Sequence, residues 1–298
     1  MIIRISHIGL VCENVDATLK NYEKVFGLKA VDFRNDQGKG FQLDARIMFA
    51  NECWLHLVQN WNPESRVNRF LKSHGEGLEH LALQTDNIEA DVEHLRKIGV
   101  PVYQDTIFNA ADGFEAFIFP QDAIGFTIEL IQPHAASWKF DPAKLSNPNI
   151  LGLQHIGVAV KDLDRATRCF EQLFGIKATE LRTDQHYGTQ QDITIHTGND
   201  RLWLHLVQSE DQENRVTQFM NKYGEGLEHL CIEVGDIREA VKRVKAAQVP
   251  LYQNKIYLDR ADGFEAFVYP EYNHGVTVEL IEPYLESRGY RPRSGKAG

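Results

Sequence analysis

Two stretches of this chain, GEGLEHLAL at residues 75 to 83 and GEGLEHLCI at 224 to 232, each set a single histidine into an apolar run behind a Gly-Glu-Gly turn. Side chains alternate faces along a strand. Leu78, His80, Ala82 and Gln84 therefore share one face, as do Leu227, His229, Cys231 and Glu233 in the second copy. A lone histidine in such a run is ordinarily a hydrogen-bonded core residue. Here it has company at repeated spacings. His7 to His80 is 73 residues and so is His56 to Glu129, while His155 to His229 and His205 to Glu279 are both 74. Alternation puts His7 with Ile5 and Gly9, His56 with Trp54 and Val58, and Glu129 with Thr127 and Ile131. Leu55, Leu57, Ile128 and Leu130 then point the other way, under the helices.

Each half thus offers three imidazoles and a carboxylate to one sheet surface: His7, His56, His80 and Glu129, then His155, His205, His229 and Glu279. These are ligand types for divalent Zn, Fe, Co, Ni or Mn. A buried carboxylate is costly alone and stabilised beside a cation. Four unrelated core polar residues have no reason to fill the same four slots twice, although duplication also preserves such positions passively. The pattern predicts a divalent metal ion in each set, each set closing within its own half.

The elements that must position these residues repeat as well. ISHIGLVCENVDATLKNYEKVFGLKA at residue 5 matches LQHIGVAVKDLDRATRCFEQLFGIKA at 153, CWLHLVQ at 53 matches LWLHLVQ at 202, and ADGFEAFIFP at 111 matches ADGFEAFVYP at 261. With the weaker internal repeat, the chain is four modules of about 74 residues, each reading strand, helix and three strands. In the first, residues 2 to 11 form a strand, Asn14 caps a helix with Leu19, Tyr22 and Phe26 on one face, and Gly27 ends it. Strands near 28–34, 41–49 and 53–59 follow. The second has a strand at 78–85, a helix from about 87 with Ile88, Val92, Leu95 and Ile98 inward, and strands near 102–108, 114–119 and 125–131. SRVNRFLKSHG and its counterpart ENRVTQFMNKYG read as short extra helices. The expected fold is α+β, four βαβββ modules paired into two domains at 1–133 and 151–285, with a connector at 134–150 and a polar tail at 286–298.

Bulk composition excludes several functions. With 42 acidic against 32 basic residues the net charge is -10, which disfavours nucleic acid and anionic membranes. No apolar run approaches a membrane span. Cys12, Cys53, Cys169 and Cys231 form no CxxC pair, and the opening MIIRISHIGL does not read as a signal peptide, so a cytoplasmic location is expected.

The paired modules, with one ligand from the first and last strand of each, resemble the vicinal oxygen chelate superfamily, which includes glyoxalase I, extradiol dioxygenases and methylmalonyl-CoA epimerase. HIGLV at 7, FGLKA at 26, SRVNRFLKSHGEGLEHLAL and IELIQP look most like the epimerase, as do the ligand gaps of 49, 24 and 49. The chain departs from that pattern at His56 and His205, where Gln or Glu is usual, and in being a tandem fusion. The resemblance implies a metal-dependent epimerase or isomerase that abstracts a proton alpha to a carbonyl of a small oxygen-rich substrate through a metal-bound enolate. It allows a homodimer. The alternatives are an Fe(II) extradiol-type dioxygenase or glyoxalase-type lyase, and a non-catalytic small-molecule binder.

Epimerisation needs a base on each face of the reacting carbon. The candidates, in order, are Glu115 and Glu265 of ADGFEAF, then Asp44 and Asp192 in the third strand of each half; the ligands Glu129 and Glu279 are further options. His74, His94, His134, His186, His196 and His274 lack matched partners and are expected at the surface, while Trp54 and Trp203 either wall the pocket or belong to the core.

Overall fold

A computed structural model describes residues 1–36, 42–134, 141–179, 181–184, 190–198, 202–258, 260 and 262–284. The beginning of the strand expected at 41, residues 135–140 of the connector, His186 and the tail at 286–298 lie outside the described residues.

The first half contains β1 (Ile2–Val11), α1 (Val15–Phe26), β2 (Ala30–Asp36), β3 (Gln42–Met48), β4 (Trp54–Asn60), α2 (Arg66–His74), β5 (Gly77–Thr85), α3 (Ile88–Lys97), β6 (Phe108–Asn109), β7 (Gly113–Ile118) and β8 (Thr127–Pro133). The second contains β9 (Ile150–Ala159), α4 (Leu163–Phe174), β10 (Arg182–Asp184), β11 (Gln190–His196), β12 (Trp203–Gln208), α5 (Arg215–Tyr223), β13 (Gly226–Val234), α6 (Ile237–Ala246), β14 (Gly263–Val268) and β15 (Thr277–Pro283). One sheet runs β2-β3-β4-β1-β5-β8-β7-β6 and the other β10-β11-β12-β9-β13-β15-β14. The architecture is α+β with paired strand–helix–strand modules, as the repeats predict.

Local chemistry explains the boundaries. Asn14 accepts a hydrogen bond from the Ala17 amide and Gly27 closes α1 in the left-handed region at φ 72°. A side-chain cap of this kind contributes about 1 kcal/mol. Asp162 and Gly175 cap α4 in the same way. The buried stripe of α1 is Val15, Thr18, Tyr22, Val25 and Phe26. Leu19 is therefore turned toward the rim and Thr18 inward, which shifts the expected face by one position. Ile98 is not on the buried face of α3: it lies at the C-cap and is 44% exposed. The strand expected at 102–108 is instead a 3-10 turn over Tyr103–Asp105, with Gln104 and Asp105 at φ 52° and 49°. Positive φ breaks strand pairing, leaving a bridge from Val102 to Ile118 and the two residues of β6.

In each sheet the central strands are covered on both faces. Leu55, Leu57, Leu81, Leu83 and Leu130 are fully buried and point away from the histidines. On the histidine face, Val11 and Val58 pack with Val67, Phe70 and Leu71, which closes one end of that face with α2. Ala159 and Val207 pack in the same way with Val216, Phe219 and Met220 of α5.

The chain packs as two compact units, one comprising Met1–Ile8, Glu79–Phe140 and Ile156–Glu228, the other Gly9–Leu78, Asp141–His155 and His229–Gly298. In the first, His94 of α3 donates to the Gln172 carbonyl of α4 at 2.9 Å. In the second, Arg243 of α6 donates to the Glu23 carbonyl of α1 at 2.9 Å, and Glu76 accepts from His274 at 2.9 Å. The unit boundaries fall inside β1, β5, β9 and β13, so each unit draws strands from both sheets. Among the described residues no helix is long and apolar enough to cross a membrane.

Candidate metal centres

Each ligand row is set by four adjacent strands. In the first sheet β4, β1, β5 and β8 are neighbours, and they carry His56, His7, His80 and Glu129. The parallel register of β5 with β8 pairs Ala82 with Glu129 and His80 with Thr127. His80 Nε2 lies 3.3 Å from His7 Nε2, and Glu129 Oε2 lies 3.5 Å from His7 Nε2 and 3.6 Å from His80 Nε2. One ligand nitrogen of each of His7, His56 and His80 falls within 4.8 Å of the others. His7, His80 and Glu129 are at most 4% exposed, and His56 is half-buried.

The second sheet repeats the arrangement on β12, β9, β13 and β15. His155 Nε2 and His229 Nε2 are 3.1 Å apart, and Glu279 Oε2 is 3.4 Å from the first and 3.3 Å from the second. His205 completes a group of three with His155 and His229 within 4.8 Å. Burial works against the charge of Glu279, but attraction to and hydrogen bonding from His155 and His229 outweigh it and hold its carboxyl well below the ordinary range.

The donor sets fit a divalent cation. His80 Nδ1–H donates to Glu79 Oε2 at 2.9 Å, so the neutral ring turns the lone pair of Nε2 into the cluster. Glu79 is itself fixed by the Thr127 hydroxyl, which donates to Oε1 at 2.8 Å. In the second half the orienting bond moves to another ring: His155 Nδ1–H donates to Gln154 Oε1 at 3.1 Å. Glu228, the counterpart of Glu79, forms an ion pair with Arg215.

The proposed bases stand at both ends of each row. Asp44 on β3 is 8% exposed, accepts from Gln42 Nε2 at 2.8 Å and lies 3.2 Å from His56 Nε2. Asp192 on β11 is 4% exposed and lies 3.5 Å from His205 Nε2. At the other end, antiparallel pairing of Phe117 with Glu129 and Glu115 with Ile131 places Glu115 on the ligand face. Glu265 has the same register on β14, opposite Ile281. Glu115 and Glu265 are both buried.

Sequence reasoning missed several residues here. His196 is not a surface residue: it lies on the ligand face of β11, 3.2 Å from the Thr194 hydroxyl and 5.7 Å between ring centroids from Trp203. His274 is half-buried, bonded to Glu76 and 3.3 Å from the Thr18 hydroxyl. His134 is likewise half-buried, bonded to Asn109, while His74 and His94 are exposed. The signal for Glu79 was an acid inside an apolar strand next to His80. Cys231, whose counterpart is Ala82, has its sulfur within 4.8 Å of ligand atoms of His155 and Glu279. Trp54 is buried on the ligand face, with the Arg46 guanidinium 5.6 Å from its ring centre.

Comparison with known proteins agrees with this geometry. The family described as the Glyoxalase/Bleomycin resistance protein/Dioxygenase superfamily matches residues 6–119 and again 154–267. The chain is similar to mitochondrial methylmalonyl-CoA epimerase of Homo sapiens, 25% identical over 155 residues that cover 51% of this chain and 86% of that protein. It is also similar to lactoylglutathione lyase of Schizosaccharomyces pombe, 24% identical over 94% of this chain and 96% of that one. Among solved structures, a mutant 4-hydroxymandelate synthase from Streptomyces coelicolor shares the fold with a TM-score of 0.74 at 16% identity, covering 95% of this chain and 93% of that chain. With two family matches that span most of its length and a row of three histidines and a glutamate on each sheet, the chain belongs to the glyoxalase/bleomycin resistance/dioxygenase, or vicinal oxygen chelate, superfamily.

Proposed function

We propose that the chain is a divalent-metal-dependent epimerase or isomerase that transfers a proton at a carbon next to a carbonyl of a small, oxygen-rich substrate. His7, His56, His80 and Glu129 would hold one ion, and His155, His205, His229 and Glu279 a second; Zn, Co, Mn, Ni and Fe all suit the donors. The observation that carries the reading is the pair of buried acids bracketing each row, Asp44 and Glu115 in the first sheet, Asp192 and Glu265 in the second. Moving a proton from one face of a carbon to the other requires an acid–base group on each side. A carboxylate on the strand beyond each end of the row supplies that pair.

A divalent cation in such a site supplies Lewis acidity that stabilises charge developing on a carbonyl oxygen, an effect of several kcal/mol. The protein's own part is orientation and proton transfer. Glu79 and Gln154 fix ring tautomers, and α2 and α5 close one end of each ligand face. Asp44 or Asp192 takes or returns the proton on one side and Glu115 or Glu265 on the other. The epimerase relatives support this assignment. Free thiols at Cys12, Cys53, Cys169 and Cys231 are consistent with a cytoplasmic protein. A lyase of the lactoylglutathione type is the second reading, favoured by a match that runs nearly the full tandem length. The third imidazole of each row weighs against a dioxygenase built on two histidines and one carboxylate.

Elemental analysis of purified protein, followed by a screen of 2-substituted 3-oxo acids, acyl-CoA thioesters and keto-cyclitols for solvent deuterium uptake, tests the proposal. The expected result is up to two divalent ions per chain and exchange that disappears when they are removed. Protein that takes up none of the five metals, or oxygen consumption with a catechol in place of exchange, would overturn it.

A further inference from the structure

Two arginines are buried among the described residues, Arg46 at 3% and Arg260 at 9% exposure, and each lies beside a ligand row. Arg46 is the cross-strand partner of His56 and shares its face. Its guanidinium is 3.9 Å from Asp32 and 5.6 Å from the Trp54 ring centre. Arg260 lies three residues before the start of β14. Its Nε is 3.8 Å from Glu265 Oε2, and its guanidinium lies 4.6 Å from the Tyr257 ring centre.

Neither position is duplicated. Thr194, paired with His205, occupies in the second sheet the place that Arg46 holds in the first. Ala110, one residue before the ADGFEAF repeat, stands where the second half has Arg260. The ligand rows are copies of each other, but the buried cations are not. Strand order places them on opposite sides of their rows, Arg46 on β3 beyond the His56 end and Arg260 next to β14 beyond the Glu279 end.

A buried guanidinium is costly to desolvate and is retained where it recognises planar oxyanions through its rigid fork. We propose that Arg46 and Arg260 are anchors for a carboxylate of the substrate, one per site, and that their opposite placement makes the two halves distinct binding sites. A carboxylate-bearing compound held by the first row extends toward β3, and one held by the second extends toward β14. One chain would then handle two different carboxylates, or one carboxylate in two orientations. This rests on the reading of the two rows as substrate sites.

The test uses the full chain with its bound metal counted in every sample, and radiolabelled malonate as probe in equilibrium dialysis. Arg46→Thr and Arg260→Ala each install the residue that the other half carries at that position, which favours folding; thermal melting checks it. Charge-assisted hydrogen bonds are worth about 1.5–3 kcal/mol, so losing one anchor should weaken its site by about 10- to 100-fold. At a malonate concentration that just saturates wild type, wild type should bind two malonates per chain, each single variant close to one, and the double variant close to none, with metal content unchanged throughout. Arg46→Lys and Arg260→Lys, which keep the charge but not the fork, should bind malonate more weakly than wild type if the Thr and Ala variants do not fold. Two malonates retained by both single variants, or none bound by wild type, would overturn the proposal. Inorganic phosphate displacing malonate more effectively than unlabelled malonate does would overturn the carboxylate assignment. Absence of metal from wild type would instead count against the metal reading, and is scored separately from malonate binding.

Discussion

Glu79 offers the sharpest perturbation of a single site. Its carboxylate accepts from His80 Nδ1–H at 2.9 Å and from the Thr127 hydroxyl at 2.8 Å, and it is 3% exposed. Truncation in Glu79→Ala leaves two buried donors without that acceptor, at about 1–3 kcal/mol each. It also releases the ring that points Nε2 into the row. Loss of an orienting group of this kind typically lowers metal affinity about 10- to 100-fold, or about 1.4–2.7 kcal/mol. Glu79→Gln keeps an acceptor oxygen for the imidazole and lets the Thr127 hydroxyl rotate, so it should fall near the tenfold end. In the second half Gln154 orients His155 instead. The loss should therefore appear in one of two metal-binding classes when Co(II) is titrated against a competing chelator. Thermal unfolding measured on the same samples separates a general loss of stability from a local loss of affinity. Equal weakening of both classes, or an unchanged titration for Glu79→Ala, would refute the argument.

Glu115→Gln combined with Glu265→Gln should lower proton exchange about 10²- to 10⁴-fold with metal retained, whereas Glu129→Gln and Glu279→Gln should lose metal and exchange together; near-normal turnover of the first variant moves the base role to Asp44 and Asp192. Burial opposes the charge on Glu76, yet hydrogen bonds from His274 and the Glu13 amide hold its carboxyl below the ordinary 4.5. Its folded value is thus depressed, so the stabilisation is complete above that ordinary value and lost as pH falls through the folded one; the stability gap between wild type and Glu76→Gln should close on acidification below pH 4.5, and a constant gap would contradict this. Burial pushes the Cys12 thiol up to about 12 and raises Cys231 as well, the latter with help from Glu279. Ellman's reagent at pH 8 should therefore reach at most the half-buried Cys169 before denaturation and all four thiols after it, and fast native labelling of Cys12 would be inconsistent with the packing described.

Much of the fold was legible because the ligand strands are bounded by strong local signals. Asn14, Gly27, Asn87 and Gly75 fix helix ends chemically, and strict alternation fixes which side of β4, β5 and β8 carries the histidines and Glu129 and which carries the leucines. The errors fell where tertiary context decides. Nothing in the Tyr-Gln-Asp triplet at 103 announces positive φ, since no glycine is present, and the same conformation recurs at Gln253 and Asn254. Thr18 turns inward in place of Leu19 because its hydroxyl satisfies itself on the Asn14 carbonyl at 3.0 Å. Spacing exposed the ligand rows because both copies carry them. Arg46, His196, Arg260 and Cys231 differ between copies, so a reading built on the repeat passes over them.

The interleaved packing has a consequence for how such a chain came to be. Each compact unit takes one α/β module from either side of the connector, with α1 against α6 in one and α3 against α4 in the other. Cut at the connector, neither fragment would contain a whole unit, and each would present an uncovered helical flank to solvent. A severed half should accordingly recruit a second polypeptide, another copy of itself or the missing half, before it becomes soluble and rigid. The tandem gene then amounts to a dimer made permanent by fusion. Covalent joining leaves the two halves free to differ, as they do at Arg46 against Thr194 and at Ala110 against Arg260.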